Sequence, residues 1–199
     1  MSTSDPTASP TTFDLEHRLD SVDSTLQNPR TAVVALGSNL GNRLETLQGA
    51  VDALADTPGL RITGVSAVFQ TAALGTPGEQ PDYYNAVALL RTTLPPYSLL
   101  ERANAIEDAF GRERKVRWGA RTLDVDILSY ENVLSTDPVL LLPHPRAHER
   151  VFVLAPWTDV DPAGELPGHG NVAELLAGLG GEGAQGVRRR TDIQLRLPE

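Results

Sequence analysis

Asp124 and Asp126 alternate with Leu123, Val125 and Ile127, and a period of two turns both carboxylates to one face of a strand. At a rise of about 3.3 Å per residue their α-carbons stand about 7 Å apart, so the pair repels itself unless a cation lies between the oxygens. Hard oxygen donors on a strand suit Mg2+, which takes one or two carboxylates from protein and fills its shell with water and substrate phosphate. Just before them Arg112, Arg114, Lys115, Arg117 and Arg121 share a stretch with one acid, Glu113. Guanidinium forks pair with phosphate oxygens bidentately, so a polyphosphate would bridge metal and arginines. Trp118, in the same polar loop, must either pack or cover a ligand. The plain alternative is a basic loop leading into a strand with a solvated acidic face.

Composition narrows the choice. A chain of 199 residues, 40% apolar and 22% charged, suffices for one full core with length to spare. It has no cysteine, which excludes disulfide scaffolds and thiolate metal sites. A net charge of −9 opposes general nucleic-acid binding, which needs a basic face. One basic loop fits a small polyanion better. No apolar run has the length of a membrane span and no signal-peptide pattern opens the chain, so a soluble, cytoplasmic protein is expected. It is also expected to act as a monomer.

The elements that must position these residues follow from periodicity. Residues 1–29 are rich in Ser, Thr, Asp and Pro and read as a disordered leader, with Phe13, Leu15 and Leu19 its one apolar pattern. Residues 30–160 read as the core. A buried strand over Ala32 to Leu36 ends in Gly37-Ser38-Asn39, and a helix striped by Leu44, Leu47, Val51 and Leu54 follows, capped by Asn42 and closed at Pro58-Gly59. Leu60 to Gln70 reads as one strand with an irregularity near Gly64. A polar loop over Thr71 to Pro81 has the length of a binding loop. The strand from Tyr83 to Thr93 puts Tyr83 and Asn85 on one face, where an amide can donate to and accept from a ring edge. Pro95-Pro96 starts a second helix striped by Leu99, Leu100, Ala103, Ile106 and Phe110, with Asn104 and Glu107 near its end.

His144 and His148 are four apart, yet without cysteine or a third ligand they suit phosphate contact or helix capping better than zinc. Residues 161–199 form an extension that completes or flanks the core. Within it Val172 to Leu176 is helical, Gly178 to Gly186 a flexible connector, and Ile193, Leu195 and Leu197 alternate as an edge strand or a docked tail. Arg188-Arg189-Arg190 reads as solvated.

Strand, helix, strand, strand, helix, strand is the order of the ferredoxin-like α+β architecture, an antiparallel sheet with helices packed mainly on one face. Function has to come from the motifs. These are Gly-Ser-Asn after the first strand, Pro81-Asp82-Tyr83-Tyr84-Asn85-Ala86, the run from Arg117 to Ile127, and Pro143-His144-Pro145-Arg146. Together they closely resemble the 6-hydroxymethyl-7,8-dihydropterin pyrophosphokinase family of folate biosynthesis, over Thr31 to Val160.

The resemblance implies that ATP gives its β,γ-pyrophosphoryl group to the pterin hydroxymethyl oxygen and leaves as AMP. It implies two Mg2+ ions on Asp124 and Asp126, and Arg112 and Arg121 on the transferring group. Glu107, Arg114, Lys115, Ile127, His144 and Arg150 would serve ATP. The pterin would stack between Tyr83 and Phe152, be read by Asn85, Thr71 and Leu74, and be covered by Trp118. Ala72-Ala73, Asn104 and Val139 depart from the family pattern and bear on affinity. A nucleotidyl transferase, or a ferredoxin-like nucleotide- or RNA-binding module without catalysis, would share parts of this pattern.

Overall fold

The computed structural model describes residues 28–73, 80–111 and 122–198. Its main sheet has six strands, and every strand pair in it is antiparallel. β1 (Arg30–Ser38) lies between β4 (Tyr83–Thr92) and β5 (Asp124–Tyr130). The other side of β4 is shared by β2 (Leu60–Val65) and β3 (Val68–Thr71). The single strand expected over Leu60 to Gln70 is therefore two. Its break is held by Ser66, whose backbone N–H donates to the Val87 carbonyl while its Oγ accepts from the Val87 N–H, both at 2.9 Å. The irregularity near Gly64 is present as a shift of register between Ile62 and Gly64.

Alternation along these strands creates two cores. Ala32, Val34, Leu36, Ala86, Ala88, Leu90, Val125 and Ile127 point to one face and pack with α1 (Arg43–Ala55) and α2 (Pro96–Ala109). Leu47, Ala50, Val51 and Leu54 are the stripe α1 buries, and Asn42 caps it by accepting from the Glu45 N–H at 3.4 Å. Each fully buried leucine contributes about 1.5–3 kcal/mol from apolar burial. Val33, Val87, Phe69 and Leu128 point to the other face and pack under α3 (Val151–Val160) and α4 (Val172–Gly178). The antiparallel α+β sheet is as expected, but its helices divide between both faces rather than lying mainly on one. The second face needs its own cover because Val87, Leu89 and Val33 are as apolar as their neighbours on the first.

Two short hairpins complete the description, β6 (Ser135–Asp137) with β7 (Leu140–Leu142) and β8 (Glu165–Leu166) with β9 (Gly170–Asn171). The extension is more tightly integrated than its composition suggests. β10 (Arg188–Arg190) adds to the sheet beside β3, two residues after a 3-10 turn over Ala184–Gly186. Gln185, inside the expected flexible connector, accepts from the Val151 N–H at 3.1 Å and donates to the Glu149 carbonyl at 3.0 Å. The strand falls on the arginine triplet instead of on Ile193 to Leu197. Arg189 pairs with Asp159 at 2.7 Å and Arg190 with Asp192 at 2.6 Å, so the triplet is not simply solvated. Leu195 then enters the first core, and Gln48 of α1 exchanges two hydrogen bonds with the Arg196 backbone.

Candidate active site

The strand register assembles the site. Gly37 of β1 faces Asp124 on one side and Asn85 on the other, with Phe69 of β3 beyond Asn85. Two interstrand spacings of about 4.8 Å put the Asp124 and Asn85 α-carbons about 10 Å apart in one row. Glycine leaves a hollow between them. A Cβ at position 37 would lie 3.5 Å from Asn85 Oδ1 and 3.9 Å from the Asp124 Cβ. Sequence reasoning passed over Gly37 in this role, since only the register shows what stands on either side.

The acceptor end of the row is preorganised. Asn85 Nδ2 donates to Thr71 Oγ1 at 3.0 Å and to the Phe69 carbonyl at 3.5 Å. Its Oδ1 is thereby aimed at the hollow, where it can accept from a ring N–H or amino group. Thr71 pairs with Tyr83 across the stem of the long loop, so Thr71, Tyr83 and Asn85 are fixed by one piece of sheet. Phe152 is half-buried near the start of α3, on the same side of the sheet.

At the acidic end, Asp126 is paired with Ala35 one step along β5 from Asp124 and on the same face. Both carboxylates act electrostatically on Arg150, and Asp126 acts on His144. Burial pulls the His144 imidazole below its usual value; Asp126 opposes this, while Arg150 and Arg146 reinforce it. His144 Nδ1 accepts from the Arg146 N–H at 3.2 Å, and the His144 N–H donates to the Leu128 carbonyl at 2.8 Å, anchoring the segment after the cis Leu142–Pro143 bond beside β5. Burial also lowers the Arg150 guanidinium, helped by Arg146 and opposed by Asp126, Glu149 and Asp124. The same guanidinium lies 5.5 Å from the Phe152 ring centroid, so Arg150 joins the acidic end to the aromatic wall.

Ile127 and Glu107, both expected to serve ATP, have their side chains placed by the packing of β5. Ile127 points its side chain into the first core, away from the aspartates, because it is out of phase with them on β5. Glu107 is 3% exposed, and its Oε1 accepts the Val125 N–H at 2.8 Å. It therefore holds the backbone between Asp124 and Asp126. His148 does not join His144 in a metal pair. It stacks on His169 with ring centroids 4.0 Å apart. Arg112, Arg114, Lys115, Trp118, Arg121 and Leu74 lie outside the described residues.

The residues present suit a hard divalent cation. The described residues hold no cluster of three or more His, Cys, Asp or Glu side chains able to grip a metal on their own. Asp124 and Asp126 supply two carboxylates beside an open hollow, a donor set that suits Mg2+ shared with water and substrate phosphate. No helix among the described residues is long and apolar enough to cross a membrane.

Fold and donor set together define a class, an α+β protein whose acidic strand suits metal-assisted phosphoryl transfer. The chain belongs to the 7,8-dihydro-6-hydroxymethylpterin-pyrophosphokinase (HPPK) family, whose profile matches residues 33–162. A protein of Methylorubrum extorquens named 2-amino-4-hydroxy-6-hydroxymethyldihydropteridine pyrophosphokinase is 41% identical over 156 residues, covering 78% of this chain and 98% of the relative. One of the same name from Pseudomonas aeruginosa is 43% identical over 152 residues, covering 76% and 93%. Among solved structures, a triple mutant of Plasmodium falciparum HPPK-DHPS with SDX-DHP superposes with a TM-score of 0.62 at 14% identity, covering 84% of this chain. The wild-type Plasmodium falciparum HPPK-DHPS with pteroate gives 0.59 at 13%, covering 74%. This chain spans about half the length of those chains, 49% and 44%, and the likeness is one of fold.

Proposed function

We propose that this protein transfers the β,γ-pyrophosphoryl group of ATP to the hydroxymethyl oxygen of 6-hydroxymethyl-7,8-dihydropterin, giving the pterin diphosphate and AMP. The observation that carries this reading is the row Asp124, Gly37, Asn85. A phosphate chain held at its acidic end and a flat heterocycle read at its amide end meet over a residue without a side chain. Family membership and the names of the relatives point to the same reaction.

Phosphoryl transfer asks mainly for positioning and charge stabilisation. Asn85 Oδ1 accepts from the heterocycle while Thr71 fixes the amide, and Tyr83 and Phe152 provide aromatic faces. Asp124 and Asp126 would hold Mg2+, two ions in this reading, which when bound neutralises phosphate oxygens and favours attack by the acceptor oxygen. Glu107 keeps β5 in place under the two carboxylates. Arg150 and His144 face phosphate from the side opposite Asn85. Arg112 and Arg121 would take the charge of the transferring group, Arg114 and Lys115 would contact ATP, Leu74 would help read the pterin and Trp118 would cover it. The hydroxyl oxygen forms the new bond to the β-phosphorus of ATP, the bond from that phosphorus to the α,β-bridging oxygen breaks, and AMP carries that oxygen away. The hydroxyl proton passes to solvent, since no side chain described stands as an obvious base. In this reading the chain acts as a cytoplasmic monomer on small molecules, and no nucleic acid takes part.

The test is AMP release from ATP and Mg2+, with and without the pterin, on the wild type and on Asp124→Ala and Asp126→Ala. AMP formed only with the pterin and lost in both variants is expected. ATP or pterin binding without AMP from the wild type would instead favour a binding module.

A further inference from the structure

The arginine triplet of β10 takes part in a network that ends at the stem of the loop between β3 and β4. Arg190 donates through one terminal nitrogen to Gln70 Oε1 at 2.7 Å and to Tyr84 Oη at 2.5 Å. Its Nε and other terminal nitrogen grip Asp192 at 2.8 and 2.6 Å, which orients the fork. Gln70 in turn donates to Asp82 Oδ2, and Arg43 of α1 donates to the Asp82 carbonyl. Tyr84 lies between two cations, with Arg43 4.0 Å and Arg190 5.2 Å from its ring centroid. Gln70 and Asp82 flank the two ends of the loop, and Gln70 pairs with Tyr84 in the register. Their sequence neighbours Thr71, Tyr83 and Asn85 make up the acceptor end of the site.

We propose that Arg190 is a positioning residue for the pterin: by bridging Gln70 and Tyr84 it clamps the loop stem and so fixes Thr71, Tyr83 and Asn85 against the hollow over Gly37. A residue in the C-terminal extension thus sets affinity for one of the two substrates. The arrangement explains why the extension pairs with β3, the strand that ends in Thr71. Arg190 touches neither substrate; it acts through the β3 and β4 side chains it holds. The selectivity follows from position, because Asp124 and Asp126 on β5 lie across β1 from this stem.

This inference rests on the pterin reading of the site. Steady-state kinetics on the full chain, varying pterin and ATP separately, test it with Arg190→Ala, Tyr84→Phe, the double variant, and Leu195→Ala as a control that loosens the extension without touching the stem. Arg190→Ala is expected to raise the KM for pterin about tenfold and leave that for ATP within about twofold. Tyr84→Phe, which keeps the buried ring and removes only the hydroxyl to which Arg190 donates, should raise the pterin KM about threefold. The double variant should be no worse than Arg190→Ala alone, as members of one network are not additive. Leu195→Ala should lower the unfolding temperature with both KM values unchanged. The inference is overturned if Arg190→Ala and Tyr84→Phe leave the pterin KM unchanged, if both KM values rise together, or if Leu195→Ala reproduces the same split. A wild type that gives no pterin-dependent AMP would defeat the pterin reading itself, before any variant is compared.

Discussion

Replacing Gly37 by alanine should separate stability from activity. Gly37 is not among the glycines with positive φ, so its backbone accepts an L side chain. The added methyl would meet Asn85 Oδ1 at 3.5 Å and the Asp124 Cβ at 3.9 Å, both ordinary contact distances. No strain follows, and the restricted unfolded chain should stabilise the variant by about 0.4–1 kcal/mol. The methyl nevertheless fills the hollow through which donor and acceptor must approach. Crowding by one methyl in a close-packed setting costs about 1–3 kcal/mol. Charged to the transition state, this is a fall of about 5- to 150-fold in kcat/KM, at about 1.4 kcal/mol per tenfold. Thermal unfolding and pterin-dependent AMP formation, measured on the same preparation, give both halves. Activity within twofold of wild type would refute the placement of the reacting groups over Gly37. A loss of stability beyond 1 kcal/mol would refute the claim that the added methyl fits the free protein.

Other variants examine the supports of the site. Glu107→Ala leaves the Val125 N–H without its acceptor between the two aspartates, and should cost about 1–3 kcal/mol in urea unfolding and lower kcat as well. An unchanged midpoint would show that β5 does not depend on Glu107. Leu195→Ala, at a position 4% exposed in the first core, should cost about 2–5 kcal/mol, whereas a loosely docked tail would lose almost nothing. For His144 the sign follows from burial, which sets its folded pKa below the ordinary imidazole value of 6.5. The ligand-free folded state then binds fewer protons than the unfolded state, so this contribution is present above pH 6.5 and is lost as pH falls through the folded value. His144→Gln should flatten the fall in unfolding temperature as pH drops below 6.5, and an unaltered slope would remove His144 as its source.

Much of the site could be read in advance because strands carry their facing in a period of two. That period put Asp124 with Asp126 and Tyr83 with Asn85, and the structure keeps both pairs. It also put Ile127 out of phase with the aspartates, which is why its side chain lies in the core. Likewise the α1 stripe and its Asn42 cap are local features, legible from spacing and side-chain chemistry. What a period of two cannot tell is which strand lies alongside. The meeting of Asp124 and Asn85 over Gly37 depends on the order β4, β1, β5, a pairing between residues far apart in the chain.

The C-terminal extension shows the same division more sharply. Its glycines and charges match those of a solvated tail, since composition reports the cost of ordering a segment and not the partners that offset it. Asp159, Gln70, Tyr84 and Gln48 are those partners, and they come from four different elements. Likewise, a buried Glu107 and a surface Glu107 look identical in sequence. The chain by itself determined the local elements, the facing of each strand and the chemistry its motifs could perform, because these depend on neighbours within a few residues. Tertiary structure alone decided the helix cover on both faces, the hollow over Gly37 and the clamp at the loop stem, because each arises where distant segments are packed into contact.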